Sequence, residues 1–526
     1  MEDQSGTYAR TWRSLRNSLE RLTQVKENLH INVNQCLYMQ SEILKLLQVL
    51  QQDQSPAAQE FYGIAMRALK LVEECSTERW LLKAVEIGDC PEHFVELYLD
   101  LRWSSNLAGQ EIGCDQISIS DVHKVRDEDK LSLMFKVKEV LEGENKNHKR
   151  CQVEQQLATI LRDRSGCSDP SSPQSPPYDL KRYVRGFRFN LISGTFFQRV
   201  QGGSSFVVKY HWVYKKEFVL KLALKSSDRD IIKKEAEIME KCRHPYVVGV
   251  VGCWEVKSSK SFMVMECMEC TLTDLMRRRR TSTTKQGFSA SEAIDLLLPV
   301  AKALRYMHGK VKPIAHRDIK PDNIMCSREP EVGTKLIDFG DSVEFDPSYF
   351  SRTPGVALTT KEYGVTGTAG YMAPEVRDCR NFEYIDSLKA FPYCDLLKAD
   401  VFSFGMVLGE LLTWKTPEES LCAQAQRSLP RSEMNDLLKR GWRPHIPHDV
   451  PAYVAFVVES CWRKFPTTRP SFEDICLMLQ NAQHLLGLNV KVANEATSSL
   501  VSYTDSDATD WPIPGKFTVR EMLNLE

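Results

Sequence analysis

The chain opens with apolar residues that recur every three, four or seven positions. Such series are found at Leu15, Leu19, Leu22, Leu29 and Val33, at Ile64, Ala68, Leu71 and Cys75, and at Leu133, Val137, Val140 and Leu141. This spacing places the apolar side chains on one face of an α-helix. Breaks near Pro56, near Pro91 and around residues 109–120 separate the helices. We therefore predict an all-α helical bundle over residues 1–162.

The pattern changes twice further along the chain. Residues 163–187 are rich in Ser and Pro and poor in large aliphatic side chains, which predicts an exposed linker. From about Arg188, short runs such as FVVKYHWVY and EFVLKLAL predict paired strands, and long helical patterns follow after Ala290. We expect a mixed α and β domain over residues 188–486 and a polar, loosely ordered tail over residues 487–526.

Composition narrows the class of protein. The 526 residues carry 69 Lys and Arg against 70 Asp and Glu, and this balance argues against a dedicated nucleic-acid binder. No signal peptide is visible, and no apolar run reaches the roughly 18–20 residues of a transmembrane helix. The 16 cysteines are scattered and read as reduced thiols. These features predict a cytoplasmic protein.

Several short motifs carry residues suited to phosphoryl transfer. EFVLKL places Lys221 on a strand, where its ammonium can hold phosphates, and IIKKEAEIMEKCRHPYVV places Glu235 on a helix to pair with it. AHRDIKPDN supplies Asp318 for an acceptor hydroxyl and Asn323 as an oxygen ligand for magnesium. KLIDFG adds Asp338 as a second metal ligand. The reaction needs these parts to neutralise charge and to orient the attacking oxygen.

These motifs, in this order, resemble the eukaryotic protein kinase family over residues 188–486. The match extends to TGTAGYMAPE, to the segment around Asp400 and to CWRKFPTTRPSF, whose last motif is most similar to the tyrosine-kinase-like group of Ser/Thr kinases. The resemblance implies an α+β, bilobal protein kinase fold preceded by the all-α bundle. It implies a β-rich N-lobe to about Cys270, a helical C-lobe to about Leu486, and ATP with Mg²⁺ between them.

The resemblance also assigns the nucleotide and acceptor contacts. Val200 matches the valine of the family's glycine-rich loop, and Val219 lies where the family usually has a small alanine over the adenine ring. Met265 would guard the inner adenine pocket. Glu266 and Cys267 would offer main-chain hydrogen bonds to the base. Lys320 and Thr368 are Ser/Thr-kinase features, and the lysine would also help to neutralise the transferred phosphate. We therefore expect a protein substrate phosphorylated on Ser or Thr.

One motif departs from the family. The glycine-rich loop of kinases has three glycines, whereas the matching positions here are Ser193, Thr195 and Gln198. Glycine serves there because main-chain N–H groups must approach the phosphates closely. Two interpretations stay open: a working Ser/Thr kinase with a divergent loop, and a pseudokinase that acts as a molecular switch.

The helical front end bears on this choice. A bundle that contains INVNQCLYMQSEILKLLQVL, followed by a linker and a kinase domain with an altered glycine loop, resembles the plant mixed lineage kinase domain-like proteins. That resemblance implies self-association through the bundle and peripheral contact with a membrane, in particular the plasma membrane. In the pseudokinase interpretation, the kinase domain would control a membrane-perturbing or scaffolding bundle.

Four smaller features of the sequence also bear on structure and function. The run Arg277 to Arg280 fits a solvated helix end better than an acidic-partner site. The C-x-x-C spacing of Cys267 and Cys270 lacks a second pair and favours a structural hinge over a metal site. Glu375 and Arg469 match a buried ion pair of related kinases. The candidate phosphorylation sites before the APE motif are Thr359, Thr360, Tyr363 and Thr366.

Overall fold

Two compact units make up the described part of the chain. The computed structural model describes residue 17 and residues 29–50, 56–88, 90–107, 119–143, 149–164, 205–211, 216–223, 229–256, 260–281, 287–327, 333–345, 367–378 and 393–487. The first unit comprises the described residues up to Ala236, with Arg243–Pro245 and Gly249–Cys267. The second comprises Glu237–Cys242, Tyr246–Val248 and the described residues from Met268 on.

The first unit begins with a helical bundle. Its helices are α1 (Val33–Leu50), α2 (Pro56–Cys75), α3 (Trp80–Lys83), α4 (Glu92–Leu107), α5 (Ile119–Glu142) and α6 (Lys149–Arg164), and a π-helical turn (Ala84–Gly88) continues α3. On α2, Ile64, Ala68, Leu71 and Cys75 are all buried, which confirms the helical series predicted for them. Leu15, Leu19 and Leu22 of the first series lie outside the described residues, as do residues 165–187 of the linker predicted at 163–187.

Directional polar contacts fix the bundle's helices against one another. Asp129 on α5 is buried, and its carboxylate accepts hydrogen bonds from the main-chain N–H groups of Asn34 and Gln35, each at 2.9 Å. These groups are unsatisfied donors in the first turn of α1, so Asp129 caps that helix from a neighbouring one. Arg67 on α2 and Asp100 on α4 form a second link at 2.9 Å.

A four-stranded antiparallel sheet completes the first unit. The strands β1 (Ser205–His211), β2 (Glu217–Ala223), β3 (Val250–Val256) and β4 (Lys260–Glu266) lie in the order β1-β2-β4-β3, and helix α7 (Arg229–Lys241) connects β2 to β3. The pairing of β1 with β2 confirms the strands predicted there. On one face of the sheet, Phe218, Leu220, Phe262 and Val264 join the same apolar core as the bundle. The bundle therefore covers that face.

The second unit is mainly helical with two small sheets. Its elements are β5 (Cys270–Thr271), α8 (Leu272–Thr281), α9 (Ala290–His308), β6 (Ile314–Ala315), a 3₁₀ turn (Pro321–Asn323), β7 (Ile324–Cys326), β8 (Thr334–Leu336), β9 (Val343–Glu344), α10 (Pro374–Asp378), α11 (Tyr393–Thr413), α12 (Pro417–Ala425), α13 (Arg431–Lys439), α14 (Ala452–Cys461), a 3₁₀ turn (Pro466–Thr468) and α15 (Phe472–Gly487). Helix α9 starts at a capping box made by Ser289 and Glu292 and packs on α11 and α15.

The architecture confirms the predicted α+β class, with a helical region ahead of a mixed one. Among the helices that the structure describes, none is both long and apolar enough to cross a membrane. The predicted domain limits at residues 162, 187 and 486 stay predictions.

Candidate active site

The first unit contains a buried ion pair between strand β2 and helix α7. Lys221 lies on β2, and its Nζ is 2.7 and 2.8 Å from the two carboxylate oxygens of Glu235 on α7. The lysine side chain is 15% exposed and the glutamate 2%, so the ammonium keeps one open side while its partner is enclosed. This geometry fixes the direction of the ammonium, because a two-oxygen contact restricts the lysine more than one contact does.

The predicted adenine contacts lie beside this pair. Val219 and Lys221 are two residues apart on β2 and therefore share one face. Across the β2–β4 ladder, Val219 is opposite Met265, and Lys221 is opposite Met263. Glu266 ends β4, and its N–H donates to Gly249 O at 2.9 Å. Cys267 follows it and is half-buried.

Two parts of the predicted nucleotide site fall outside the described residues. They are Val200 and the divergent loop positions Ser193, Thr195 and Gln198.

In the second unit, three polar side chains meet around the carboxylate of Asp318. Asp318 Oδ2 accepts from Lys320 Nζ at 2.6 Å and from Asn323 Nδ2 at 2.9 Å. Thr368 closes the network, because its hydroxyl donates to Asp318 Oδ1 at 2.8 Å and accepts from Lys320 at 2.7 Å. Lys320 is thus held between an acid and a hydroxyl. The structure brings these four residues together.

Asp400 on α11 anchors the loop that carries Asp318 through hydrogen bonds to the main chain. Asp400 is 1% exposed, and its two oxygens accept from the main-chain N–H groups of His316 and Arg317, each at 2.8 Å. His308 Nε2 lies 3.0 Å from the same carboxylate. Arg317 adopts a φ of 71°, a strained conformation that such contacts can maintain. The sequence motif around Asp400 supported only the family resemblance and did not reveal this anchoring role.

The pairing of strands β7 and β8 places the two predicted metal ligands at the same end of the two strands. Strands β7 and β8 pair antiparallel with Ile324 opposite Leu336. Asn323 directly precedes β7, and Asp338 follows β8 by two residues, so both lie at the same end of the ladder. The N–H of Ile337 also donates to Asn323 O at 3.0 Å. An amide and a carboxylate oxygen are ligands suited to a hard divalent cation, so the residues fit such an ion.

The segment after Thr368 is also tied to α11. Tyr371 donates its hydroxyl hydrogen to Glu410 Oε2 at 2.6 Å, and its carbonyl accepts from the Ser403 hydroxyl at 2.9 Å. Burial raises the pKa of Glu410 to about 7, although the hydrogen bond from Tyr371 acts in the opposite direction. Sequence reasoning did not identify this pair, since a glutamate inside an apolar helix gives no local signal of its partner.

The smaller sequence features have structural partners. The four arginines on α8 contact Asp274, Glu269, Glu292 and Glu419 respectively, which agrees with a surface role. Arg469 forms the expected buried pair with Glu375, at 2.5 and 2.9 Å. The residues described here contain no group of three or more His, Cys, Asp or Glu side chains placed to hold a metal. The candidate phosphorylation sites at residues 359–366 lie outside the described segments.

Sequence comparison finds kinases among the relatives of this chain. A "probable serine/threonine-protein kinase" of Dictyostelium discoideum is 30% identical over 52% of this chain and 18% of its own length. The "dual specificity protein kinase shkE" of the same organism is 29% identical over 61% of this chain and 40% of its own length. "Serine/threonine-protein kinase STY17" of Arabidopsis thaliana is 30% identical over 47% of this chain and 36% of its own length. This chain therefore matches less than half of each relative.

A family model matches a larger continuous part of this chain. Residues 201–479, more than half of the chain, match the family model described as "protein kinase domain". That range contains both the Lys221–Glu235 pair and the network around Asp318. The chain belongs to the protein kinase family.

Proposed function

We propose that this chain is an ATP- and Mg²⁺-dependent protein kinase that phosphorylates Ser or Thr. The observation that carries the proposal is the network in which Asp318, Lys320, Asn323 and Thr368 meet within hydrogen-bond distance. When bound, ATP supplies the transferred phosphoryl group and Mg²⁺ offsets its charge.

Each residue has a defined task in that reaction. The carboxylate of Asp318 orients the acceptor hydroxyl and accepts its proton, and Lys320 offsets charge on the transferred group. Lys221, fixed by Glu235, binds nucleotide phosphates. Asn323 and Asp338 would hold the cation, and their oxygen donors support Mg²⁺ in that role.

The acceptor specificity rests on Thr368. Its hydroxyl bridges Asp318 and Lys320, so the segment before the APE motif is joined to the carboxylate that would accept the proton of the acceptor hydroxyl. This linkage supports a Ser/Thr acceptor, and the motif CWRKFPTTRPSF supports membership of the tyrosine-kinase-like group. Phosphoamino-acid analysis of a phosphorylated acceptor protein tests it, and phosphotyrosine as the main product would contradict it.

A phosphotransfer assay with matched variants tests the activity. Lys221→Met and Asp338→Asn should each reduce transfer to background, because one removes the phosphate anchor and the other a metal ligand. Lys138→Met and Asp127→Asn are the controls, since these side chains are 70% and 63% exposed on α5. Equal background signal from the native chain and all four variants would refute the proposed kinase activity.

The same assay would then favour the second candidate, a pseudokinase switch. The observation in its favour is the sequence of the glycine-rich loop, where Ser193, Thr195 and Gln198 replace glycine. In this case the kinase domain would control the bundle, as the resemblance to plant mixed lineage kinase domain-like proteins implies.

We further propose the bundle as a signalling module in a cytoplasmic protein, with self-association and peripheral contact at the plasma membrane. The full chain is the appropriate sample, because bundle and sheet share one apolar core. Light scattering of the protein and dye leakage from anionic vesicles test the two activities separately. A monomer at all concentrations, or no leakage, would remove the corresponding proposal.

A further inference from the structure

Arg164, the last residue of α6, bonds to three main-chain carbonyls, one in the bundle and two in the sheet. Arg164 Nη1 lies 2.7 Å from Val85 O in the π-helical turn. Its Nη2 lies 2.6 Å from Val250 O and 2.9 Å from Val251 O, at the start of β3. A guanidinium is suited to this task, because its planar fork presents several donors in fixed directions. Arg164 thus holds the beginning of β3 against the bundle.

The residues that follow α7 meet the bundle as well. His244 and Glu96 form a buried contact, with Nε2 and Oε1 3.1 Å apart and side chains 0% and 7% exposed. Arg243 donates to Val85 O and Glu86 O, each at 3.2 Å. Polar groups this buried must keep their partners, since an unmatched one loses its hydration without compensation. These contacts therefore resist separation of the bundle from the segment Arg243–Pro245.

The strand that carries Lys221 is supported by the same bundle. Phe218 and Leu220 are 0% and 4% exposed and belong to the bundle's apolar core. Lys221 is the next residue along β2, so its side chain leaves the opposite face toward Glu235. The bundle thus contacts the strand that carries the lysine and the segment directly after the helix that carries the glutamate.

We propose that Arg164 and Glu96 are positioning residues for the Lys221–Glu235 pair. The inference rests on the proposed kinase function and deepens it: the bundle sets the phosphate-binding half of the site. Without these contacts, the segment after α7 loses its anchor and Glu235 no longer holds the ammonium in one direction. Binding of ATP weakens, whereas binding of the acceptor does not change, because Asp318 and Thr368 are held by contacts within the second unit.

Steady-state kinetics of the full chain separate positioning from general destabilisation. Arg164→Ala and Glu96→Leu, which each remove the contact, should raise the KM for ATP by about tenfold and leave the KM for an acceptor protein unchanged. Arg67→Ala is the matched control, because its partner Asp100 is also buried but the pair lies wholly within the bundle. A variant that only unfolds part of the sample would lower kcat and leave both KM values unchanged. That result for Arg164→Ala would overturn the proposal.

A double-mutant cycle tests whether the effect passes through Glu235. In a Glu235→Ala background, Arg164→Ala should add no further loss of affinity for a fluorescent ATP analogue. Independent, additive losses would contradict the proposal, since residues that act through a shared partner are not additive. Arg164→Lys, which keeps the charge but not the fork, should give an intermediate affinity and replaces the alanine variant if that one does not fold.

Hydrogen exchange distinguishes failure of this inference from failure of the proposed function. If the native chain transfers no phosphate, the kinase proposal fails, but the amides of residues 229–241 still report on α7. Faster exchange there in Arg164→Ala than in Arg67→Ala supports the positioning role. Equal exchange in both variants overturns it.

Discussion

The buried carboxylate of Glu410 predicts how stability depends on pH. Glu410 is 5% exposed on α11, and burial raises its pKa from an ordinary value of 4.5 to about 7. Between these two values the unfolded chain releases a proton that the folded protein keeps. Stability must therefore fall as pH rises through this window, because the folded state binds more protons there. Below pH 4.5 the contribution is fully present, and above about 7 it is lost.

The magnitude follows from the difference between the two pKa values. One unit corresponds to about 1.4 kcal/mol, so the shift of Glu410 is worth about 3 kcal/mol. Glu410→Gln removes the titration and keeps an oxygen that can accept from the hydroxyl of Tyr371. Relative to the native chain, this variant should gain about 3 kcal/mol of unfolding free energy between pH 5 and pH 8.

Urea unfolding at a series of pH values measures this difference. Tryptophan fluorescence is a suitable signal, since Trp414 directly follows α11. Glu418→Gln is the control, because Glu418 is an exposed glutamate on the neighbouring helix α12. If the native and Glu410→Gln stability curves run parallel from pH 5 to pH 8, the assignment of a raised pKa to Glu410 is wrong.

Three further substitutions test a glycine with positive φ, a buried ion pair and a helix cap. Gly367→Ala should lower the free energy of unfolding by about 1–3 kcal/mol and reduce phosphotransfer. The reason is that Gly367 has a φ of 116° and that a Cβ there would lie 2.8 Å from Arg317 O. Kinetics like those of the native chain would contradict this prediction. Arg469→Ala should cost about 3–5 kcal/mol in urea unfolding, since it leaves the carboxylate of Glu375 without its buried partner. Ser289→Ala should cost about 1 kcal/mol through loss of the α9 cap, and an unchanged melting temperature would argue against that cap.

Three of the side chains that meet around the carboxylate of Asp318 or provide it come from one local motif, which the sequence singled out. Asp318, Lys320 and Asn323 lie within six positions of one another, and their contacts follow from one tight loop. Helical spacing likewise predicted the buried face of α2, from Ile64 to Cys75. Periodicity is a local property, so the sequence alone carries it.

Contacts between distant segments could not be predicted in the same way. Arg164 is separated by 86 positions from Val250, and Glu96 by 148 positions from His244. In the sequence, Arg164 is one more charged residue at a helix end, and Glu96 one more polar residue on α4. Only the packing of bundle on sheet gives these side chains buried partners, and no spacing rule reports such packing.

The two halves of the proposed reaction are supported by different structures. The acceptor half is fixed from within its own unit, where Asp400 holds the main chain on either side of His316 and Thr368 holds Asp318. The phosphate half depends on a helical module that is distant in sequence from the kinase motifs. Because one carboxylate holds one loop directly, the acceptor half has little freedom to vary. The Lys221–Glu235 pair, in contrast, lies beside segments that Arg164 and Glu96 hold from the bundle, so we expect regulation through the bundle to appear in ATP affinity rather than in acceptor affinity.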